Sequence, residues 1–306
     1  MNIAVITPIK HLSGISDILI NKGSLFYLED GSKRETRNLL LKHDIDVILC
    51  NPNKQDFIID KNLLKGTKVK IINTCSTGLN HIDTDYCDKN NIEILSLKED
   101  MELINDLPST SELAFGLMMC LTRKITQGMQ HVMDGGWDYT SFVGRQIKDL
   151  TIGIVGYGRL GKMMHNFCSA FNAKCIIYDP HVVNIGCDSL SDLVSKSDVI
   201  SLHVHVTDET KYMFNKELLG KLKKNSYIIN TSRGEIVDER AIVKSLDSGN
   251  LAGYATDVIE NEFDNINNSP IVKAMRQGKN VIVTPHVGGM TYEGQQKAYE
   301  WAVKKL

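Results

Sequence analysis

Short apolar runs alternate with segments of helical period along the whole chain, the pattern of parallel strands covered by helices. In the first hundred residues the strand-like runs are "NIAVIT", "DVILCN", "VKIINTC" and "IEILSL", with helical segments such as "SKRETRNLLLKH" between them. A second series begins at Thr151 with "TIGIVG" and continues through "KCIIYD", "DVISLHV", "NSYIINT", "NLAGYATDV" and "NVIVTPH", with helical patterns between the first five of these runs; "TYEGQQKAYEWAVKK" is the last helix. Between the two series, "PSTSELAFGLMMCLTRKITQGMQHVMDGG" has Pro108 at its start, Ser and Thr as caps and Glu112 in its first turn. Its apolar residues recur at helical spacing as far as Gly135 and Gly136, which predicts a single helix of more than about 20 residues, a spine connecting two bodies. The Met-rich face of that helix is either buried core or a subunit contact.

Composition narrows the class. At 306 residues the chain suits two α/β domains better than one core. Hydrophobic residues at 42% and charged residues at 24% are ordinary for a globular protein, and a formal net charge of −2 gives no reason to expect a nucleic-acid or membrane-surface partner. No apolar run approaches the roughly 20 residues of a membrane span. The N-terminus lacks the basic start and long apolar core of a signal peptide. Six of the seven cysteines (Cys50, Cys75, Cys87, Cys120, Cys168 and Cys175) lie in or beside apolar runs or helical patterns, and no C-x-x-C pair occurs. They read as small buried hydrophobes, and the odd, unpatterned set leads us to expect reduced thiols in a cytoplasm.

Gly156, Gly158 and Gly161 in "IVGYGRLGKMM" have the spacing G-x-G-x-x-G between a strand and a helix. In that context the first glycine permits a tight turn, the second lets backbone approach a pyrophosphate and the third lets the helix pack on the sheet. The helix N-terminus then offers N–H groups and partial positive charge to the phosphates. The next strand ends on Asp179, where an acid hydrogen-bonds the adenosine ribose and repels a 2′-phosphate, so NAD is the expected cofactor; a turn acid before Pro180 is the bland alternative. Tyr212 and Lys216 spell Y-x-x-x-K, but Asn215 reads as a helix cap and Lys216 as a first-turn surface residue. His203 and His205, two apart on a strand, face one way but lack a third ligand, so no metal is expected.

Three later segments, "NTSRGEIVDERAI", "ATDVIENEF" and "TPHVGG", each place a polar residue at or beyond a strand's C-terminal end, where open α/β sheets bind ligands. Arg233, Glu262 and His286 make a set suited to a 2-oxo acid. An arginine binds a carboxylate in bidentate fashion and polarises the adjacent carbonyl. A histidine donates the proton a new alkoxide needs, and a carboxylate beside it stabilises the imidazolium. Glu260 competes with Glu262 for the histidine; spacing favours Glu262.

Together with the glycine loop, the motifs "STGLNHID", "STSELAFGLMMCL", "GGWDYTSFVG", "GIVGYGRLGK", "LHVHVTDET", "NTSRGEIVDE", "ATDVIENE" and "TPHVGG" closely resemble the D-isomer-specific 2-hydroxyacid dehydrogenase family over nearly the whole chain. "MMCLTRKI" and "GGWDYTSFVG" look nearest to its 3-phosphoglycerate dehydrogenases. The resemblance implies an NAD-dependent oxidoreductase that interconverts a small 2-oxo acid and its D-2-hydroxy acid. Arg233 takes the place of the substrate-binding arginine, Glu262 of the glutamate that partners the histidine, and His286 of the general acid/base. Ser76, Thr77 and Gly78 match the loop whose N–H groups hold the substrate carboxylate. Arg159 and Leu160 match pyrophosphate contacts, His205 and Val206 lie in a cofactor-contacting segment, and Thr231 and Asp257 match positions near the nicotinamide. It also implies a Rossmann domain, residues 104–284, inserted in a discontinuous flavodoxin-like substrate domain, residues 1–103 and 285–306, with the active site in the cleft between them and a homodimer through the cofactor domain. Asp149, Leu150, His205 and Asp208 depart from the family's turns. Phe263 stands where the family has proline, and Thr74 where some phosphoglycerate enzymes carry a phosphate-binding arginine. With no regulatory domain after Leu306, feedback control through one is not expected. A glyoxylate/hydroxypyruvate reductase is the rival within the enzymes, and an NAD(H)-sensing protein of the corepressor type the rival outside them.

Overall fold

The apolar runs of the first hundred residues become parallel strands: β1 (Asn2–Val5), β3 (Val47–Cys50), β4 (Ile71–Thr74) and β5 (Glu93–Leu95). A further strand, β2 (Ser24–Tyr27), has no such run in the sequence because it is an edge strand whose residues are only half-buried or exposed. The order is β2-β1-β3-β4-β5, that of a flavodoxin-like sheet. Successive side chains of a strand face opposite ways. Thus Ile3, Val5, Val47 and Leu49 pack on one side, while Ala4, Ile48 and Cys50 pack on the other. Helices cover both faces, which is why β3 is apolar and buried at all four positions.

The structure describes residues 1–52, 54, 57–182, 186–262 and 265–306 and is a computed structural model. The chain divides into two units, Met1–Leu107 with Gly289–Leu306, and Pro108–Gly288. The helix Tyr292–Lys304, capped by Thr291, completes the first unit by burying Ala298, Tyr299, Ala302 and Val303 in its core. Two buried polar contacts fix its depth: Tyr299 Oη lies 2.6 Å from Thr7 Oγ1, and Asn73 Nδ2 donates to the Ala302 carbonyl at 2.8 Å. Both divisions fall a few residues later than residues 103/104 and 284/285. Leu103 and Ile104 pack into the first unit's core, so the crossing comes at Pro108. His286, Val287 and Gly288 are bonded to Asp257, so they stay with the second unit.

The second unit contains β6 (Thr151–Val155), β7 (Lys174–Tyr178), β8 (Val199–Leu202), β9 (Ser226–Asn230), β10 (Leu251–Thr256) and β11 (Val281–Val283). All pair in parallel in the order β11-β10-β9-β8-β6-β7. The chain leaves β6 to one side and returns as β8 on the other, which makes the crevice at the C-terminal end of β6 the topological switch point of a Rossmann sheet.

The expected single spine helix is two helices, Ser109–Thr122 and Ile125–Met133. The Thr122 carbonyl, which a continuous helix would give to residue 126, accepts the Arg145 N–H instead, and Lys124 turns left-handed with φ 52°. Burial divides at the same place. Ala114, Leu117, Met118 and Leu121 are core, whereas no residue of the second helix is buried. All seven cysteines are unbridged, and burial pushes the thiols of Cys50 and Cys87 up to about 12 and about 11. Among the described residues no helix is long and apolar enough to cross a membrane.

Candidate active site

The glycine loop leaves β6 at the switch point. Gly156 has φ 88°, and a Cβ there would meet the His203 carbonyl oxygen at 2.4 Å, so only glycine lets the loop pass the end of β8. Gly158 caps the helix Arg159–Ala170, and nothing lies within 4 Å of where its Cβ would be. Gly161, buried in that helix's first turn, packs against Gly156. Leu160 accepts a hydrogen bond from Ser111 Oγ through its carbonyl, and burial pulls the Arg159 guanidinium below its usual pKa.

Asp179 follows the last residue of β7. Its carboxylate accepts the Tyr157 N–H of the glycine loop at 2.7 Å and the His181 N–H at 2.9 Å. It therefore ties the loop to the strand and also shapes the turn after it. Beyond β8 the two histidines do not share a strand face, because β8 stops at Leu202. His203 is half-buried, with Nε2 2.8 Å from Ser201 Oγ and Nδ1 buried without a partner, and burial holds its pKa down at about 4. His205 and Val206 are exposed. Among the described residues no group of three His, Cys, Asp or Glu side chains is placed to hold a metal.

After β9, Asn230 uses its own amide to shape the next turn: Oδ1 accepts from Ser232 N and Nδ2 donates to the Arg233 carbonyl. Such local side-chain bonds are why asparagine suits a strand end. Thr231 is buried there, and its hydroxyl has no partner. Arg233 is half-buried and extended, and its Nη1 donates to the Ser232 carbonyl. A Cβ on Gly234 would fall 2.0 Å from the Ile259 carbonyl carbon, so the arginine turn lies backbone to backbone against the segment that follows β10.

That segment carries both competing glutamates, and they have different partners. Glu262 Oε2 lies 2.7 Å from His286 Nδ1, with side chains 22% and 24% exposed, and its other oxygen is buried without a partner. Glu260 instead accepts the Tyr212 hydroxyl, and that contact pushes the phenol up to about 12. Tyr212 thus pairs with Glu260, while Lys216 is exposed in the first turn of the helix Lys216–Leu219, whose cap is Asn215. Phe263 lies outside the described residues.

In the first unit, Ser76, Thr77 and Gly78 form the loop after β4. Ser76 Oγ donates to the Gly78 carbonyl at 2.9 Å and lies 2.9 Å from Thr74 Oγ1, which is also 3.0 Å from His81 Nε2. Thr74 and His81 are fully buried, so position 74 supports the loop from inside.

Three supporting residues escape the sequence reading. Glu239 is there only one residue of the run "NTSRGEIVDERAI". In the fold it is 4% exposed, accepts the Glu260 N–H at 3.0 Å and Ser269 Oγ at 2.9 Å, and burial raises its pKa. Thr284 and His81 likewise look like ordinary loop residues until their partners are in place. A buried acid or histidine carries no periodic signal in a sequence.

An NAD molecule fits these residues. The helix Arg159–Ala170 presents its N-terminus behind the open side of Gly158, Asp179 stands at the end of β7, and the unpaired Thr231 hydroxyl lies at the C-terminal edge of the same sheet. Comparison with known proteins gives the same cofactor. Residues 115–288 match the family described as D-isomer specific 2-hydroxyacid dehydrogenase, NAD binding domain, and residues 15–102 match its catalytic domain. A glyoxylate reductase from Thermofilum pendens is 33% identical over 286 residues, covering 89% of this chain and 80% of that protein. A D-3-phosphoglycerate dehydrogenase from Synechocystis is 32% identical over 246 residues, covering 78% of this chain but 42% of that protein. The crystal structure of an Aquifex aeolicus D-lactate dehydrogenase complexed with NAD and lactic acid superposes with a TM-score of 0.77 at 27% identity, covering 100% of this chain and 94% of that one.

Proposed function

Because the chain belongs to the D-isomer specific 2-hydroxyacid dehydrogenase family and is an NAD-dependent enzyme, we propose that it reduces a small, unphosphorylated 2-oxo acid such as glyoxylate or hydroxypyruvate to the 2-hydroxy acid. The observation that carries the reading is the 2.7 Å contact of His286 Nδ1 with Glu262 Oε2, on a segment packed against the Arg233 turn. NADH supplies the hydride that reduces the carbonyl carbon. Arg233 binds the substrate carboxylate and draws charge from the neighbouring carbonyl. Glu262 holds Nδ1–H and so orients the ring, and Nε2 of His286 delivers the proton to the new alkoxide. Backbone N–H groups of Ser76, Thr77 and Gly78 serve a carboxylate. Gly156, Gly158, Arg159, Leu160 and Gly161 serve the pyrophosphate, Asp179 the ribose, and His205, Val206, Thr231 and Asp257 the remainder of the cofactor.

One observation favours an unphosphorylated substrate over 3-phosphoglycerate. Position 74 is a buried threonine engaged with Ser76 and His81, which leaves no cation there for a phosphate. An NADH-oxidation assay over glyoxylate, hydroxypyruvate, pyruvate and 3-phosphohydroxypyruvate tests this. Greatest kcat/KM on the phosphorylated acid overturns the substrate, and no turnover of any of them overturns the reaction.

The second unit also supports a homodimer. Met129, Met133, Trp137, Tyr139 and Val143, close together in the chain, are 60%, 77%, 91%, 80% and 69% exposed, and large apolar side chains left in water mark an interaction surface where they form one patch. Light scattering at micromolar concentration tests it, and Trp137→Glu is expected to give monomers. Seven unbridged cysteines support a cytoplasmic location.

A further inference from the structure

The proton-transfer role of His286 requires its ring to stay against Glu262, yet the backbone that carries it is in an unfavourable region. His286 has φ 53°, a left-handed backbone that is unfavourable for a residue with a Cβ. Pro285 precedes it, and Val287, Gly288 and Gly289 follow it; within the turn its N–H also reaches the Thr284 carbonyl at 3.0 Å.

One residue holds the turn on both sides of the histidine. Asp257, just past β10 and 2% exposed, accepts the Thr284 hydroxyl at 2.5 Å and the Val287 N–H at 2.9 Å on Oδ1. Its Oδ2 accepts the Gly288 N–H at 2.7 Å. Its backbone carbonyl accepts the His286 N–H itself at 2.9 Å. Burial works to raise the carboxyl's pKa, and the three donors oppose it. Hydrogen bonds to a carboxylate are stronger than neutral ones, and three of them act on this one turn.

We propose that Asp257 is the positioning residue of the proposed proton relay: it clamps residues 284–288 into the strained turn that sets His286 against Glu262. The inference rests on the reading of His286 as the acid/base. The resemblance also puts Asp257 beside the nicotinamide, and Oδ2, with one donor, keeps room for a further one; Thr284, which has no place in the cofactor reading, separates the two roles.

Three measurements on the intact chain decide it. The first is the hydrogen-bonded Nδ1 proton of His286 in the proton NMR spectrum, assigned by its loss in Glu262→Gln; it needs no substrate. The others are the NADH Kd by fluorescence titration, and kcat and KM with glyoxylate. Asp257→Asn is expected to broaden or abolish the Nδ1 signal and lower kcat roughly 30-fold, a larger factor than the rise in the NADH Kd. Thr284→Val removes one donor without changing any charge. It is expected to act in the same direction at about 3- to 10-fold, and it carries the test should Asp257→Asn not fold. A sharp Nδ1 signal in Asp257→Asn, an NADH Kd that rises in step with the fall in kcat, or a wild-type Thr284→Val would each overturn the proposal. If the wild type turned over no 2-oxo acid, the proposed activity would fall, while the NMR result would still decide whether Asp257 holds the histidine.

Discussion

In the unit formed by Met1–Leu107 and Gly289–Leu306, the polar side chains beyond the strand ends bond to one another. Thr7 meets Tyr299, Asn51 also reaches Tyr299, and Thr74 joins Ser76 to His81. Asn73 and, after β2, Glu29 each keep one oxygen without a hydrogen bond, but Asn73 lies against the C-terminal helix and Glu29 is paired with Lys10. In Pro108–Gly288 the matching edge is left with unpaired buried atoms: Nδ1 of His203 after β8, the Thr231 hydroxyl after β9 and Oε1 of Glu262 after β10. Buried polar groups are nearly always bonded, so each exception asks for a reason. Two parallel sheets of similar plan thus offer different things. The first presents backbone N–H groups on a self-satisfied support, and the second presents side-chain atoms whose partners are still to come.

The largest expected effect tests that second edge. His286→Ala should lower kcat by about 10³-fold or more while leaving the NADH Kd within about 3-fold; equal losses in both would make the histidine structural. Thr74→Val tests the first edge. It strips a partner from buried His81 and from Ser76, and should cost about 1–3 kcal/mol of stability and raise KM for the oxo acid, with NADH binding unchanged. Denaturant unfolding and a KM measurement check both halves.

Asp198 provides a control at the opposite end of the second sheet. Burial alone would raise its carboxyl, but Lys223, the Thr151 N–H and Arg145 together hold it below the usual range. Its folded pKa therefore lies below the unfolded value of about 3.9. The stabilisation is full above that value and is lost as pH falls through the folded pKa. Asp198→Asn should cost about 1–2 kcal/mol at pH 7, and urea titrations should show the gap from wild type closing below about pH 4.

A smaller effect is expected at Asp179. Alanine there should shift the NAD to NADP ratio of kcat/KM by about 10-fold toward NADP, and an unchanged ratio would remove the ribose role. The smallest effect sharpens the comparison most. Thr231→Val removes a hydroxyl unbonded in the protein alone, so the melting temperature should hold or rise slightly while NADH affinity falls about 3-fold. A loss of stability without a loss of affinity would show that the unpaired atom awaits no ligand.

Much of this was legible because parallel strands covered on both faces read as unbroken apolar runs; β3 and β8 are buried at every position. The glycine loop was legible because its spacing and its place between strand and helix come from local geometry. What escaped depends on distant partners. The apolar period runs through Lys124 without a mark, since the break comes from the Thr122 carbonyl turning to Arg145. The edge strand β2 has little apolar pattern to show. His203 and His205 alternate as a strand would, but β8 ends before them. Spacing favours Glu262 over Glu260 for the histidine, but nothing in the sequence says that Glu260 turns to Tyr212, or that Asp257 and Glu239 turn inward to hold the segments around them.

The packing of Ala298, Tyr299, Ala302 and Val303 into the first unit has a consequence for synthesis. Pro108–Gly288 is one continuous stretch and can fold as soon as it clears the ribosome. The residues made first must wait for residues 289–306 before their core closes, so the earliest-translated part of the protein is expected to be the last to become protease-resistant. Limited proteolysis of a released chain truncated after residue 288 should give protection in the second unit alone.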